Sequence, residues 1–114
     1  MSDCIFCKIA KGEIPSDIIY QDDKVIAFND IDPQSPVHFL VIPKEHIPSI
    51  QYIDGENVSI ISHIVLVINE IAKEKGLGKD GFRIVNNCGE YGGQTVGHLH
   101  FHVLGGRHLL WPPG

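Results

Sequence analysis

The segment His98-Leu99-His100-Phe101-His102-Val103-Leu104 places three histidines at alternate positions. Side chains in a β-strand alternate between faces, so this spacing predicts one face of imidazoles and an opposite face of Leu99, Phe101 and Val103. The apolar face can enter a core, and the imidazole face is left for chemistry. Three readings fit. A passive polar face is the blandest, but Ser, Thr or Lys would serve it equally well. Chelation is the second, since His-x-His on a strand can hold one ion and histidine is the commonest metal ligand. No Asp or Glu occurs from Tyr91 to Gly114, however, so no local carboxylate completes a mixed site. Covalent catalysis is the third: an imidazole with pKa ~6.5 is mostly neutral, and therefore nucleophilic, at pH 7.

Just upstream runs Asn87-Cys88-Gly89-Glu90-Tyr91-Gly92-Gly93-Gln94-Thr95. Paired glycines let the backbone turn tightly and approach a ligand, and exposed amides in such turns cradle anions. Gln94 and Thr95 add donors without charge. No lysine follows Lys79, and Arg107 is the permanent cation near the stripe, so an anion here must be held by amides, hydroxyls and imidazoles.

A second constellation begins with Cys4-Ile5-Phe6-Cys7. A C-x-x-C pair can be redox-active, metal-binding or incidental. No thioredoxin-like βαβ pattern surrounds it, which weakens the redox reading, and buried free thiols are common. Structural zinc needs four ligands, and His46 and His98 are the candidates to complete the set.

The elements that must position these groups can be read along the chain. Residues 4 to 11 predict a short helix closed by Gly12. Ile18 to Tyr20 and Val25 to Phe28 predict strands of a hairpin turning at Asp22-Asp23. His38 to Ile42, apolar and closed by Pro43, predicts a buried strand. From Asp54 to Lys75 apolar residues recur at helical spacing, with Lys73 and Lys75 suiting a helix C-terminus and Gly76 a stop. Phe82 to Asn86 and His98 to Leu104 predict two more strands. Five strands, mostly following one another, with one long and one short helix indicate an α+β fold with an antiparallel sheet.

Composition narrows the function classes. The 114 residues are 43% apolar, in the single-domain range and too apolar for disorder. The net charge of −5 disfavours nucleic acid as a partner but not one small anion in a local pocket. The N-terminus lacks a signal-peptide pattern, and the most apolar stretch, Val58 to Ile68, is shorter than the ~20 residues of a membrane span. Three cysteines suit a reducing compartment, so a soluble, cytoplasmic protein with no membrane partner is expected. Cys88 and His108 carry no assigned role, His63 is expected at a surface or interface, and Asp22, Asp23 and Asp32 are expected in turns.

The histidine stripe resembles the signature of the histidine triad (HIT) superfamily. Phe28-Asn29-Asp30-Ile31, His38-Phe39-Leu40-Val41-Ile42-Pro43-Lys44 and Gly92-Gly93-Gln94-Thr95-Val96 resemble further blocks of that family, in family order. Gly105-Gly106-Arg107 and Trp111-Pro112-Pro113-Gly114 resemble its Hint branch. The resemblance spans nearly the whole chain and implies a HIT-like fold over residues 1–114. It implies His100 as the nucleophile that forms a nucleotidyl-histidine at the α-phosphorus. His102 would contact the phosphate and support protonation of the departing amine. His38 would fix the hydrogen bonds of the triad. Asp30 would bind the ribose hydroxyls, Ile31 would flank the base, and Asn87, Gly93, Gln94 and Thr95 would line the phosphate site. Bacterial members look the same at Cys4, Cys7, His46 and His98, which implies a structural zinc that catalysis does not require. The implied ligand is a purine nucleoside monophosphate or its phosphoramidate. The implied assembly is a homodimer in which Trp111 reaches toward the partner's site. Dinucleoside polyphosphates, substrates of the Fhit branch, and a non-catalytic nucleotide-binding role are the alternatives. Gly97 stands where some Hint proteins carry a bulkier aromatic residue.

Overall fold

The computed structural model of the chain describes residues 3–114. The elements run α1 (Ile5–Ala10), β1 (Ile18–Gln21), β2 (Val25–Asn29), β3 (Val37–Pro43), a 3-10 turn (Ile50–Tyr52), α2 (Ser59–Glu74), β4 (Phe82–Val85), α3 (Gly89–Gly92) and β5 (Phe101–Gly105). The five strands form one sheet in the order β1-β2-β3-β5-β4, and each neighbouring pair is antiparallel. This is the expected α+β architecture.

Strand alternation sorts the sheet into two buried faces. Val25, Ala27, Phe39, Val41, Leu99, Phe101 and Val103 point to one side and pack with Ile64, Val67, Ile68 and Ile71 of α2. Ile26, Phe28, Leu40 and Ile42 point to the other, where Phe6 and Ile9 of α1 cover them. Because both faces of β3 are covered, its sequence from Phe39 to Pro43 is a continuous apolar run rather than an alternating one.

Three expectations change at their edges. The long helix begins at Ser59, not Asp54, because Asp54 Oδ1 accepts from the N–H groups of Glu56 (2.9 Å) and Asn57 (3.2 Å) and holds a preceding turn. The last strand begins at Phe101. His98 to His100 form an irregular lead-in, held where the Leu99 N–H donates to the Ile47 carbonyl outside the sheet. The glycine-rich segment, expected as a turn, contains the one-turn helix α3, ended by Gly93 at φ 79°, a left-handed conformation that favours glycine.

Asp22 does more than turn the hairpin. Its Oδ1 accepts from the N–H groups of Lys24 and Val25, both at 2.8 Å, while Oδ2 takes the Tyr20 hydroxyl (2.8 Å) and His63 Nε2 of α2 (2.7 Å). Burial pushes its carboxyl up, but the amides of Val25 and Lys24, with His63 and Tyr20, outweigh it and hold it well below the usual carboxylate range. His63 thereby fastens α2 to the hairpin. No helix of the described residues is long and apolar enough to cross a membrane.

Candidate functional site

Alternation holds through the lead-in. His98, His100 and His102 lie on the α1 side of the sheet, opposite Leu99, Phe101 and Val103. The imidazole face is not open, however. α1 lays Phe6 edge-on between two of the rings, at centroid separations of 5.9 Å from His98 and 5.1 Å from His100. His98 and His100 are buried as a result, and His102 is half-buried.

The hydrogen-bond partners fix the proton on each ring, since one nitrogen of a neutral imidazole donates and the other accepts. His100 Nδ1 lies 2.7 Å from the His98 carbonyl oxygen, which can only accept, so Nδ1 carries the proton and Nε2 keeps its lone pair. The Gln34 N–H donates to His38 Nδ1 at 3.1 Å, so His38 holds its proton on Nε2. That proton is donated to His102 Nδ1 at 2.9 Å, which leaves the His102 proton on Nε2. A nucleophilic nitrogen on His100 therefore stands beside a donor on His102, the rings 5.0 Å apart. Burial pushes His102 down to about 4, helped by His100 and His38 and opposed by Asp30, so its ring is neutral at pH 7.

Asn86, which the sequence reading passed over for its neighbour Asn87, donates from Nδ2 to the His100 carbonyl at 2.9 Å. Its position at the end of β4, paired to β5, was the available signal. Gln34 was also missed, because its contribution is a backbone N–H. Arg107 Nη2 donates to the Gln34 carbonyl at 3.0 Å and so ties the start of the tail to this loop.

The expected nucleotide residues divide into two groups. Asp30 is half-buried, with Oδ1 accepting from the Asp32 N–H (2.8 Å) and Oδ2 lying 3.4 Å from His38 Nε2 and 4.0 Å from His102 Nδ1. Ile31 beside it is 97% exposed, with nothing yet packed on it. The loop behaves differently from the donor cradle expected of it. The N–H groups of Gly93 and Gln94 donate to the carbonyls of Glu90 and Gly89. The Gln94 carboxamide accepts from the Gly89 N–H (2.9 Å) and donates to the carbonyls of Pro48 (2.8 Å) and Val96 (2.9 Å). Gly93 and Gln94 thus shape the loop with these groups, while Thr95 stays exposed and Asn87 half-buried. A groove of about 570 Å³ runs between Pro48-Ser49 and this loop, with Gly97 in its wall.

At the other end of the stripe, Cys4, Cys7, His46 and His98 come together, their ligand atoms all within 4.8 Å of one another. Cys4 Sγ is 3.3 Å from His98 Nδ1, and Cys7 Sγ lies 3.3 Å from His46 Nδ1 and 3.6 Å from His98 Nδ1. With Zn–S near 2.3 Å and Zn–N near 2.05 Å, a tetrahedral ion sets sulfur and nitrogen ligands about 3.6 Å apart. His98 Nε2 donates to the Pro43 carbonyl at 2.8 Å, which turns its Nδ1 lone pair toward the sulfurs, the outer support usual for a ligating histidine. Burial, and then Cys4, push the Cys7 thiol up, a penalty a divalent ion would reverse. The cluster can hold a metal. The three triad histidines do not converge on a shared ion: His98 belongs to this group, His102 lies with Asp30 and His38, and His100 belongs to neither.

The chain matches the family profile described as "Scavenger mRNA decapping enzyme C-term binding" over residues 3–109. It is 51% identical over 112 residues to an uncharacterised HIT-like protein of Synechococcus elongatus, covering 98% of this chain and 97% of that one. A HIT family hydrolase from Legionella pneumophila superposes with a TM-score of 0.97 at 44% identity, covering 98% of this chain and all of that one. A histidine triad protein from Clostridium difficile does so at 0.94 and 56%, covering 96% of each. With the alternating histidines, the sheet order and these relatives in agreement, the chain belongs to the histidine triad superfamily.

Proposed function

We propose that the protein is a nucleoside phosphoramidase of the Hint type, hydrolysing purine nucleoside 5′-phosphoramidates through a nucleotidyl intermediate on His100. The observation that carries this reading is the His100 Nδ1 contact with the His98 carbonyl, which presents the Nε2 lone pair next to the His102 donor. His100 Nε2 attacks the α-phosphorus, and the P–N bond to the amine breaks. With substrate bound, His102 takes up a second proton, on Nδ1, favoured by the phosphate anion and by the Asp30 carboxylate 4.0 Å away, and the His38 Nε2 proton turns from His102 to Asp30 Oδ2 at 3.4 Å. His102 gives its Nε2 proton to the departing amine, a poor leaving group without it. Water then attacks phosphorus, His102 takes its proton, and the bond to His100 breaks to release the nucleoside monophosphate and restore the imidazole.

Asp30 and Ile31 suit the ribose and the base, and Thr95 and Asn87 suit the phosphate. Zinc suits the Cys4, Cys7, His46 and His98 cluster, where its charge would hold the two thiolates and pin α1 over the stripe. Its role is to position residues, and the chemistry stays with the imidazoles. Reduced thiols and a metal of this kind suit the cytoplasm. A homodimer is supported by β4, an edge strand, and by Leu66 of α2, which is 66% exposed. Light scattering at twice the monomer mass tests it.

The activity is tested by turnover of adenosine 5′-phosphoramidate after EDTA treatment, for the wild type and His100→Ala. Activity that survives chelation and vanishes with His100→Ala supports the reading. Activity lost on chelation of a still-folded protein and restored by zinc would contradict it. Nucleotide binding without turnover would leave a binding protein.

A further inference from the structure

Cys4 and Cys7 take no part in the proposed chemistry, yet α1 sets them as an unequal pair. Cys4 is the N-cap, in an extended conformation outside the helix, and Cys7 stands in the first turn. The Cys7 N–H donates to Cys4 Sγ at 3.4 Å, so the Cys4 side chain folds back over that turn toward Cys7. The two sulfurs lie within 4.8 Å of each other. Cys7 is buried and Cys4 half-buried, so a small solute meets Cys4 first. An accessible sulfur with a second held beside it, out of solvent, is the arrangement of an attacked and a resolving cysteine. Cys88, at the N-cap of α3, lies outside this cluster.

We propose that Cys4 and Cys7 are a redox-sensitive modification site, oxidised by hydrogen peroxide to a disulfide that can no longer hold a metal with His46 and His98. The Cys4 sulfur attacks one peroxide oxygen, the O–O bond breaks, and Cys4 is left as a sulfenic acid with release of one water. The Cys7 sulfur then attacks the Cys4 sulfur, the S–O bond breaks, and a second water leaves. The two sulfurs together lose two electrons, and the two peroxide oxygens gain them. The two protons that complete the waters come from the thiols, or from solvent where a metal has already displaced them. The thiolate is the metal ligand, so the disulfide removes two of the four donors and leaves the imidazoles of His46 and His98, short of the four that a structural site uses. Peroxide thereby decides whether these residues hold an ion. The release of metal rests on the proposed zinc site; the disulfide itself does not.

The test treats the zinc-loaded protein with hydrogen peroxide, follows released zinc with a chromogenic chelator, and follows the cysteines by peptide mass. Cys4 and Cys7 share the tryptic peptide that ends at Lys8, and Cys88 lies in another. The wild type should release one zinc per chain as that peptide loses two hydrogens, and a thiol reductant with fresh zinc should reverse both changes. Cys88→Ser should respond as the wild type does. In metal-free Cys7→Ser, Cys4 should stop at the sulfenic acid and be trapped by dimedone, whereas Cys7 of metal-free Cys4→Ser should be labelled more slowly. Zinc retained while glutathione in the same solution is oxidised, a sulfinic acid in place of the disulfide, or a disulfide that includes Cys88 would overturn the site. Equal labelling of the two variants would overturn Cys4 as the sulfur attacked first. A reduced protein that takes up no zinc would overturn the release of metal and count against the zinc reading, while the peptide mass still decides the disulfide.

Discussion

His38→Ala isolates the relay that sets the catalytic tautomer. The wild-type ring receives the Gln34 N–H on Nδ1 and donates from Nε2 to His102 Nδ1 at 2.9 Å. Truncation leaves His102 Nδ1 without that donor and frees the ring to move its proton from Nε2 to Nδ1, where it no longer faces the substrate. A buried group left without its hydrogen-bond partner costs about 1–3 kcal/mol. At 1.4 kcal/mol per tenfold in rate, this corresponds to a fall in kcat/KM of roughly 5- to 140-fold. Steady-state hydrolysis of adenosine 5′-phosphoramidate in EDTA measures it. Nitrogen NMR of the imidazoles should show the Nε2–H form of His102 giving way to a mixture, a change that general loosening of the fold would not single out. His38→Gln keeps an N–H donor on a shorter arm and should recover part of the activity. A folded His38→Ala whose kcat/KM stays within about twofold of wild type, a change too small for a lost buried hydrogen bond, would refute the reasoning.

Phe6→Ala removes a ring packed between His98, His100 and Phe28, and should lower stability by about 3–5 kcal/mol in urea unfolding. A loss below about 1 kcal/mol would mean that α1 is not a tight lid on the stripe. His102, lowered to about 4, should make the metal-free protein sensitive to acid. The fold favours the neutral ring, so its contribution is complete above the unfolded pKa of ~6.5 and is lost as pH falls toward 4, on the order of 3 kcal/mol in all. Unfolding at pH 7 and pH 4.5 checks it, and His102→Gln should remove its share of the difference and leave that of His98, which burial also pushes down to about 4. Gln94→Ala strips the Gly89 N–H and two carbonyls of their partners. It should raise KM more than it lowers kcat and speed amide exchange across the loop, and equal exchange in both proteins would remove the fastening role of Gln94.

Local pattern made much of this molecule legible. The two-residue period of the histidines predicted their shared face, and apolar residues at helical spacing predicted α2, of which Ile64, Ile68 and Ile71 enter the core. The four residues of the cysteine cluster were legible as residue types, though spread from position 4 to position 98. What escaped depends on contacts distant in sequence. The pattern left the imidazole face open, since nothing in it shows that Phe6 lies between His98 and His100. It did not show that Leu99 would pair with Ile47 and delay the start of the strand to Phe101. Gln94 reads as a spare donor until Pro48, 46 residues away, is seen to accept its hydrogen bond. The relay through His38 hangs on the backbone N–H of Gln34, a group every non-proline residue carries and no side-chain pattern marks.

Covalency at His100 is the central claim, and rapid mixing with a slowly turned-over adenosine phosphoramidate, followed by a denaturing quench and intact-mass analysis, tests it most directly. The account predicts a transient species heavier by one adenylyl group, mapped to His100 and missing from His100→Ala. Turnover without that species under conditions that preserve a phosphohistidine standard, or an adenylyl group mapped to another residue, would contradict it.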